Sequence, residues 1–86
     1  MSLVLYVKSW CPWCVAAIRE LDALGVPYTV RDLEKDTGAT AEMRSLSGQT
    51  RVPTLEAAGA VLADFGPEEL APFLQKHGIL PAHPHP

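Results

Sequence analysis

Apolar and polar positions along this chain switch between two periods. Leu3-Val4-Leu5-Tyr6-Val7 is an unbroken apolar run rich in β-formers, which predicts a strand covered on both faces. After a short Lys8-Ser9-Trp10 loop, Cys14, Ala17, Ile18, Leu21 and Leu24 recur with a period of about 3.6, the stripe of a core-facing helix. Arg19, Glu20 and Asp22 fall off that stripe. Cys11 takes the N-cap position, and Pro12 stands at the first helical position, where a missing N–H costs nothing. Gly25 ends the helix and Pro27 blocks its continuation. Tyr28 to Asp32 alternates and predicts a second strand; Glu34 to Gly38 is a polar turn. A short helix is expected from about Thr40 to Leu46, its small apolar face made by Met43 and Leu46, with Gly48 past its end. Pro53 opens a strand over Thr54 to Ala57, Ala58-Gly59 reads as a hairpin turn, and Ala60 to Ala63 returns. A last helix runs from near Pro67 to Lys76-His77, with Glu68 and Glu69 in its first turn, which suits the helix dipole. Pro72 predicts a kink or a loosened first turn there.

The order β-α-β-α-β-β-α defines an α/β domain. A right-handed crossover makes the first two strands parallel, and the last two form an antiparallel hairpin. A mixed four-stranded sheet flanked by three helices, with helices on both faces, is the economical packing. Residues 1–78 are expected to form this domain, with 79–86, three prolines and two histidines among them, as a disordered tail. With 86 residues there is room for one core, and at 48% apolar the chain is globular in composition. The net charge of −3 and the lack of a basic stripe argue against nucleic acid as a partner. The apolar runs are too short to span a bilayer, and no secretory signal is expected. One adjacent cysteine pair is the wrong arithmetic for a disulfide-stapled fold. A cytoplasmic monomer with its thiols kept reduced is the expectation.

The two cysteines carry the candidate chemistry. Cys11-Pro12-Trp13-Cys14 lies between a strand and a helix, where disulfide exchange is performed. Residues three apart on a helix share a face, with β-carbons about 5–6 Å apart, close enough for a small adjustment to close a disulfide. Cys11 faces the unpaired N–H groups and the positive dipole end of the helix, and both favour thiolate over thiol. Cys14 sits one turn in, towards the apolar stripe, where burial favours the neutral thiol. Cys11 is therefore the candidate nucleophile and Cys14 the resolving thiol. Pro12 stiffens the turn, Trp13 offers an apolar contact surface to a partner, and Lys8 adds a nearby cation. The competing readings are half of a zinc site, an inert buried thiol pair, a Trp13 that is merely core, and a Lys8 that is merely solvated. No second Cys-x-x-Cys or Cys/His pair stands at ligand spacing, so no metal is expected.

Lys8-Ser9-Trp10-Cys11-Pro12-Trp13-Cys14 resembles the active-site segment of glutaredoxins. Leu46-Ser47-Gly48-Gln49-Thr50-Arg51-Val52-Pro53 resembles the segment leading into their Thr-Val-Pro turn, and Asp64-Phe65-Gly66-Pro67-Glu68-Glu69-Leu70 falls at their last functional turn. The resemblance implies a thioredoxin-like fold, a cis Val52–Pro53 bond, substrate pairing by the Val52 backbone, and Pro53 packed against the sulfurs. It implies thiol–disulfide oxidoreductase activity on protein or glutathione mixed disulfides, with no bound cofactor and glutathione as cosubstrate. Lys8, Arg51, Val52, Pro53, Asp64 and Phe65 are the substrate-binding candidates, Lys8 and Arg51 as cations for a glutathione carboxylate. Two departures stand out. Arg51 replaces the usual Thr, and Leu62-Ala63-Asp64-Phe65-Gly66-Pro67 replaces the Gly-Gly and Asp-Asp or Ser-Asp elements that hold glutathione. That stretch partly resembles the Ser-Gly-Phe-Arg-Pro turn of NrdH-type redoxins, which thioredoxin reductase reduces and which donate electrons to ribonucleotide reductase. Disulfide-containing proteins, with glutathione or a flavoprotein reductase as electron source, are the implied partners. A metal or iron–sulfur carrier, or a docking module, is the non-enzymatic alternative.

Overall fold

The computed structural model describes residues 3–80. Its strands are β1 (Leu3–Val7), β2 (Thr29–Asp32), β3 (Thr54–Ala57) and β4 (Ala60–Ala63), and its helices are α1 (Pro12–Leu24), α2 (Ala39–Ser47) and α3 (Leu70–Lys76). The sheet order is β2-β1-β3-β4. β1 pairs parallel with β2 and antiparallel with β3, Leu5 standing opposite both Val30 and Leu55. The expected mixed four-stranded α/β architecture is therefore present.

β1 is apolar throughout because both of its faces are covered. Leu3, Leu5 and Val7 pack with Cys14, Ala17 and Leu21 of α1 and Leu70 and Leu74 of α3. Tyr6, pointing the other way, packs with Ala39 and Met43 of α2. Val52 lies against both clusters and so ties the loop before β3 to the two layers. At the hairpin, Ala58 and Gly59 both take positive φ, 52° and 88°, the condition for a two-residue turn matched to strand twist. The Glu56 carboxylate accepts the Gly59 N–H at 2.9 Å.

Three boundaries differ from the sequence reading. Tyr28 precedes β2 rather than opening it, and its hydroxyl donates to Asp22 at 2.7 Å. α2 extends one residue beyond expectation at each end. The domain does not stop at residue 78. The Ile79 and Leu80 N–H groups donate to Leu74 C=O at 2.8 and 3.2 Å, and both side chains pack on the larger core cluster. The rest of the expected tail, residues 81–86, lies outside the described residues. Pro72 has the foreseen consequence. It offers no N–H to the Glu68 carbonyl, and the chain enters α3 through a 3-10 turn at Pro67–Glu69.

Candidate active site

The start of α1 sets the cysteine geometry. Cys11 is the N-cap, in extended conformation at φ −85° and ψ 115°, and its carbonyl accepts the first helical bond from Val15 at 3.1 Å. Its sulfur accepts the Cys14 N–H at 3.2 Å, one of the donors a helix start leaves unpaired. The Cys11 N–H donates to Lys8 C=O at 3.2 Å and closes the loop from β1. Both thiols are free. Both are buried, Cys11 at 5% exposure and Cys14 at 1%. Burial foremost, and then the hydrogen bond with Cys11, push the Cys14 thiol well above its ordinary value, while the Lys8 backbone acts in the opposite direction. Cys14 is thus held as a neutral thiol near neutrality, whereas Cys11 offers its sulfur to an N–H donor at the positive end of a helix.

The loop before β3 is pinned on either side of one residue. Arg51 N–H donates to the Gln49 side-chain oxygen at 2.6 Å, and Arg51 C=O accepts from the Thr54 hydroxyl at 2.8 Å. Gln49 Nε2 donates to that same hydroxyl at 3.0 Å, and Asp64 N–H donates to Pro53 C=O at 3.0 Å. The Val52–Pro53 peptide is cis. Among the described residues, the Val52 N–H and C=O have no hydrogen-bond partner. A backbone donor and acceptor held rigid and unpaired at a surface are a template for one residue of an extended chain.

Trp13, Pro53, Asp64, Phe65, Gly66 and Glu68 line a groove of about 230 Å³ beside the cysteine turn. Trp13 is 61% exposed, so it is a surface wall and not core, whereas Phe65, at 3%, belongs to the core that floors the groove. Asp64, at φ 53°, ion-pairs with Arg51 at 3.1 Å. Lys8 Nζ lies 5.7 Å from the centre of the Trp10 ring, a cation–π contact. The structure therefore assembles Cys11, Cys14, Trp13, Val52, Pro53, Asp64 and Phe65 at one end of the sheet. The two cations expected to receive a carboxylate already have partners. Sequence reasoning read Glu68 and Glu69 only as dipole complements. The Glu69 carboxylate in fact accepts the Gly66 N–H at 2.8 Å, and the Glu68 carboxylate folds so closely over Gly66 that an added Cβ would lie 2.4 Å from one of its oxygens. The signal available in the sequence was Gly66-Pro67, a pair with a single N–H, followed at once by two acids.

A reduced dithiol at a helix start, beside a cis-proline loop on a mixed sheet, defines a thioredoxin-like redox domain. The glutaredoxin family profile matches residues 3–62, and the chain belongs to that family of thiol–disulfide oxidoreductases. A glutaredoxin-like 8.6 kDa protein from the rubredoxin operon of Clostridium pasteurianum is 28% identical over 72 residues, covering 84% of this chain and 96% of its own. Among solved structures, the thioredoxin-like protein BC3987 superposes with a TM-score of 0.78 at 29% identity, covering 84% of this chain and 99% of its own. The NrdH-redoxin of Escherichia coli superposes at 0.74 with 20% identity over all of both chains, a likeness of fold.

Proposed function

We propose that this protein reduces protein disulfides through a Cys11/Cys14 dithiol cycle. The Cys11 thiolate attacks one sulfur of the target disulfide. The target's S–S bond breaks, its second sulfur leaves as thiolate and takes a proton, and a mixed disulfide joins Cys11 to the target. Cys14 then gives up its proton and attacks the Cys11 sulfur, releasing the target's first sulfur as a thiol. The target gains two electrons and two protons, one proton from Cys14 and one from solvent, and the protein is left with a Cys11–Cys14 disulfide. The observation that carries this reading is the inequality of the pair: one sulfur accepts a helix-start N–H, and the other, the more deeply buried of two buried thiols, is pushed up by that burial. The unpaired Val52 N–H and C=O supply the second requirement, holding the target strand while sulfur attacks sulfur. A cycle that returns to the dithiol suits a reducing compartment such as the cytoplasm.

Two electron sources fit a protein of this family, glutathione and a flavoprotein reductase. The last turn favours the flavoprotein. The Gly66 N–H is taken by the Glu69 carboxylate, Pro67 has no N–H, and Arg51 is paired with Asp64. A tripeptide carboxylate arriving there finds its donors used and the Glu68 carboxylate in the groove.

Incubating Cys14→Ser with a disulfide-containing protein such as insulin tests the cycle. It should accumulate a stoichiometric mixed disulfide at Cys11, which Cys11→Ser should not form. Multiple turnover by Cys14→Ser on insulin would contradict the assignment. Efficient re-reduction of the oxidised protein by thioredoxin reductase and NADPH, with slow re-reduction by glutathione, is the expected result for the electron source. The reverse order would return glutathione to that role.

A further inference from the structure

We infer that the groove beside the cysteines selects disulfides flanked by a basic side chain, and that Glu68 sets this preference. The inference rests on the disulfide-reductase reading above and names the substrate class of that same site.

Of the two carboxylates that line the groove, Asp64 and Glu68, only Glu68 has no ion-pair partner among the described residues. The Asp64 carboxylate is neutralised by Arg51 at 3.1 Å. The Glu69 carboxylate is turned onto the Gly66 N–H. Lys8 is turned onto Trp10. The Glu68 carboxylate lies over Gly66 in the groove wall, and among the described residues no Lys, Arg or His nitrogen lies within 4.0 Å of it. Trp13 and this carboxylate line the same groove as Pro53, whose chain neighbour Val52 offers its free N–H and C=O to a target strand. A Lys or Arg on that strand can lay its aliphatic stem along the exposed Trp13 face and bring its charged end to Glu68. An acidic residue at the same place meets an unneutralised carboxylate. The groove is open to water, so attraction for one substrate and repulsion of the other are each worth only about two- to threefold. The combined discrimination is about four- to tenfold.

Two disulfide-linked pentapeptides of identical backbone test this, one with lysine on both sides of its cysteine and the other with glutamate there. The pre-reduced protein is mixed with each, and second-order rate constants for a single turnover are measured, so that no electron source enters. The lysine peptide should react about four- to tenfold faster at low ionic strength. In about 1 M salt, where the screening length falls to about 3 Å, the ratio should drop below about twofold. Glu68→Gln should lower the low-salt ratio at least about twofold, and Glu68→Lys should invert it. Asp22→Asn, which removes the same charge at the far end of α1, should leave the ratio at the wild-type value. Equal rates for the two peptides, or a ratio that survives Glu68→Gln, would overturn the preference while leaving the reductase standing. If neither peptide is reduced, the reductase reading falls and takes the preference with it.

Discussion

Replacing Tyr6 by Phe tests how the rear layer of the fold holds the active-site loop. Tyr6 is 1% exposed, and its hydroxyl donates to the Glu42 carboxylate on α2. Arg31 donates to that same carboxylate at 2.7 Å. Burial foremost, and then the bond to Glu42, raise the Tyr6 hydroxyl from its ordinary 10.0 to about 12. A group whose folded value is raised contributes stability that is whole below its unfolded value and is lost as pH climbs through the folded one. Here the window runs from 10.0 to about 12. A shift of this size bounds the contribution at about 2–3 kcal/mol. A hydrogen bond to a charged but partly solvated acceptor is worth about 1–2 kcal/mol, which we take as the expected loss. Urea denaturation of Tyr6→Phe near neutral pH should therefore show a loss of about 1–2 kcal/mol. Repeating the comparison at rising pH should close the gap above pH 10, because the wild type alone forfeits the bond. A gap that stays constant from neutral pH to about 12, or no loss at neutral pH, would refute the reasoning. Val52 packs on this same cluster, so loosened α2 packing should also slow insulin reduction by Tyr6→Phe.

Leu21→Ala removes a fully buried side chain between α1 and the sheet and should cost about 2–5 kcal/mol by denaturant titration, a large part of the stability of so small a domain. Arg31→Gln removes the ion pairs that hold the Asp36 and Glu42 carboxyls below their ordinary values, Arg31 acting first on Asp36 and second to Tyr6 on Glu42. Depressed carboxylates stabilise above their unfolded values and lose that contribution as pH falls. The variant should thus be weaker than wild type near neutrality and indistinguishable from it in strong acid, read by thermal melts across the acid range. Arg51→Ala breaks an ion pair whose members are 78% and 50% exposed, and its melting temperature should fall by no more than about 4–8 °C, because exposed pairs contribute about 0–1 kcal/mol.

Local rules carried most of the fold. β1 and α1 were legible because each is patterned for burial, one on both faces and the other on a single stripe. The ends of α1 were legible because Cys11-Pro12 and Gly25 belong at opposite helix termini; Gly25 takes φ 72° as a left-handed cap. The 3-10 entry to α3 followed from one missing N–H at Pro72. Local rules failed at Ile79 and Leu80. The Pro/His-rich composition after residue 80 made them look like tail, while their burial depends on contacts with residues far away in sequence. The site divides in the same way. The Cys11 half of the cysteine asymmetry is local, being set by one helix cap, and the Cys14 half follows from the burial that the apolar stripe of α1 foretold. The cis bond at Pro53 entered only through family resemblance. The free Val52 backbone depends on Gln49, Thr54 and Asp64 satisfying every neighbouring group. The postures of Glu68 and Glu69 depend on how Gly66 turns the chain, and the Gly66-Pro67 pair followed by two acids was their only trace in the sequence.

Limited alkylation of the reduced wild-type protein with iodoacetamide across pH, with the modified cysteine located by fragment-ion mass spectrometry, tests the inequality of the two sulfurs most directly. Near neutrality the label should fall on Cys11 over Cys14 by at least about tenfold, and Cys14 should gain label only above the ordinary thiol value of 9.0. Equal labelling at neutral pH, or earlier labelling of Cys14, would contradict the account.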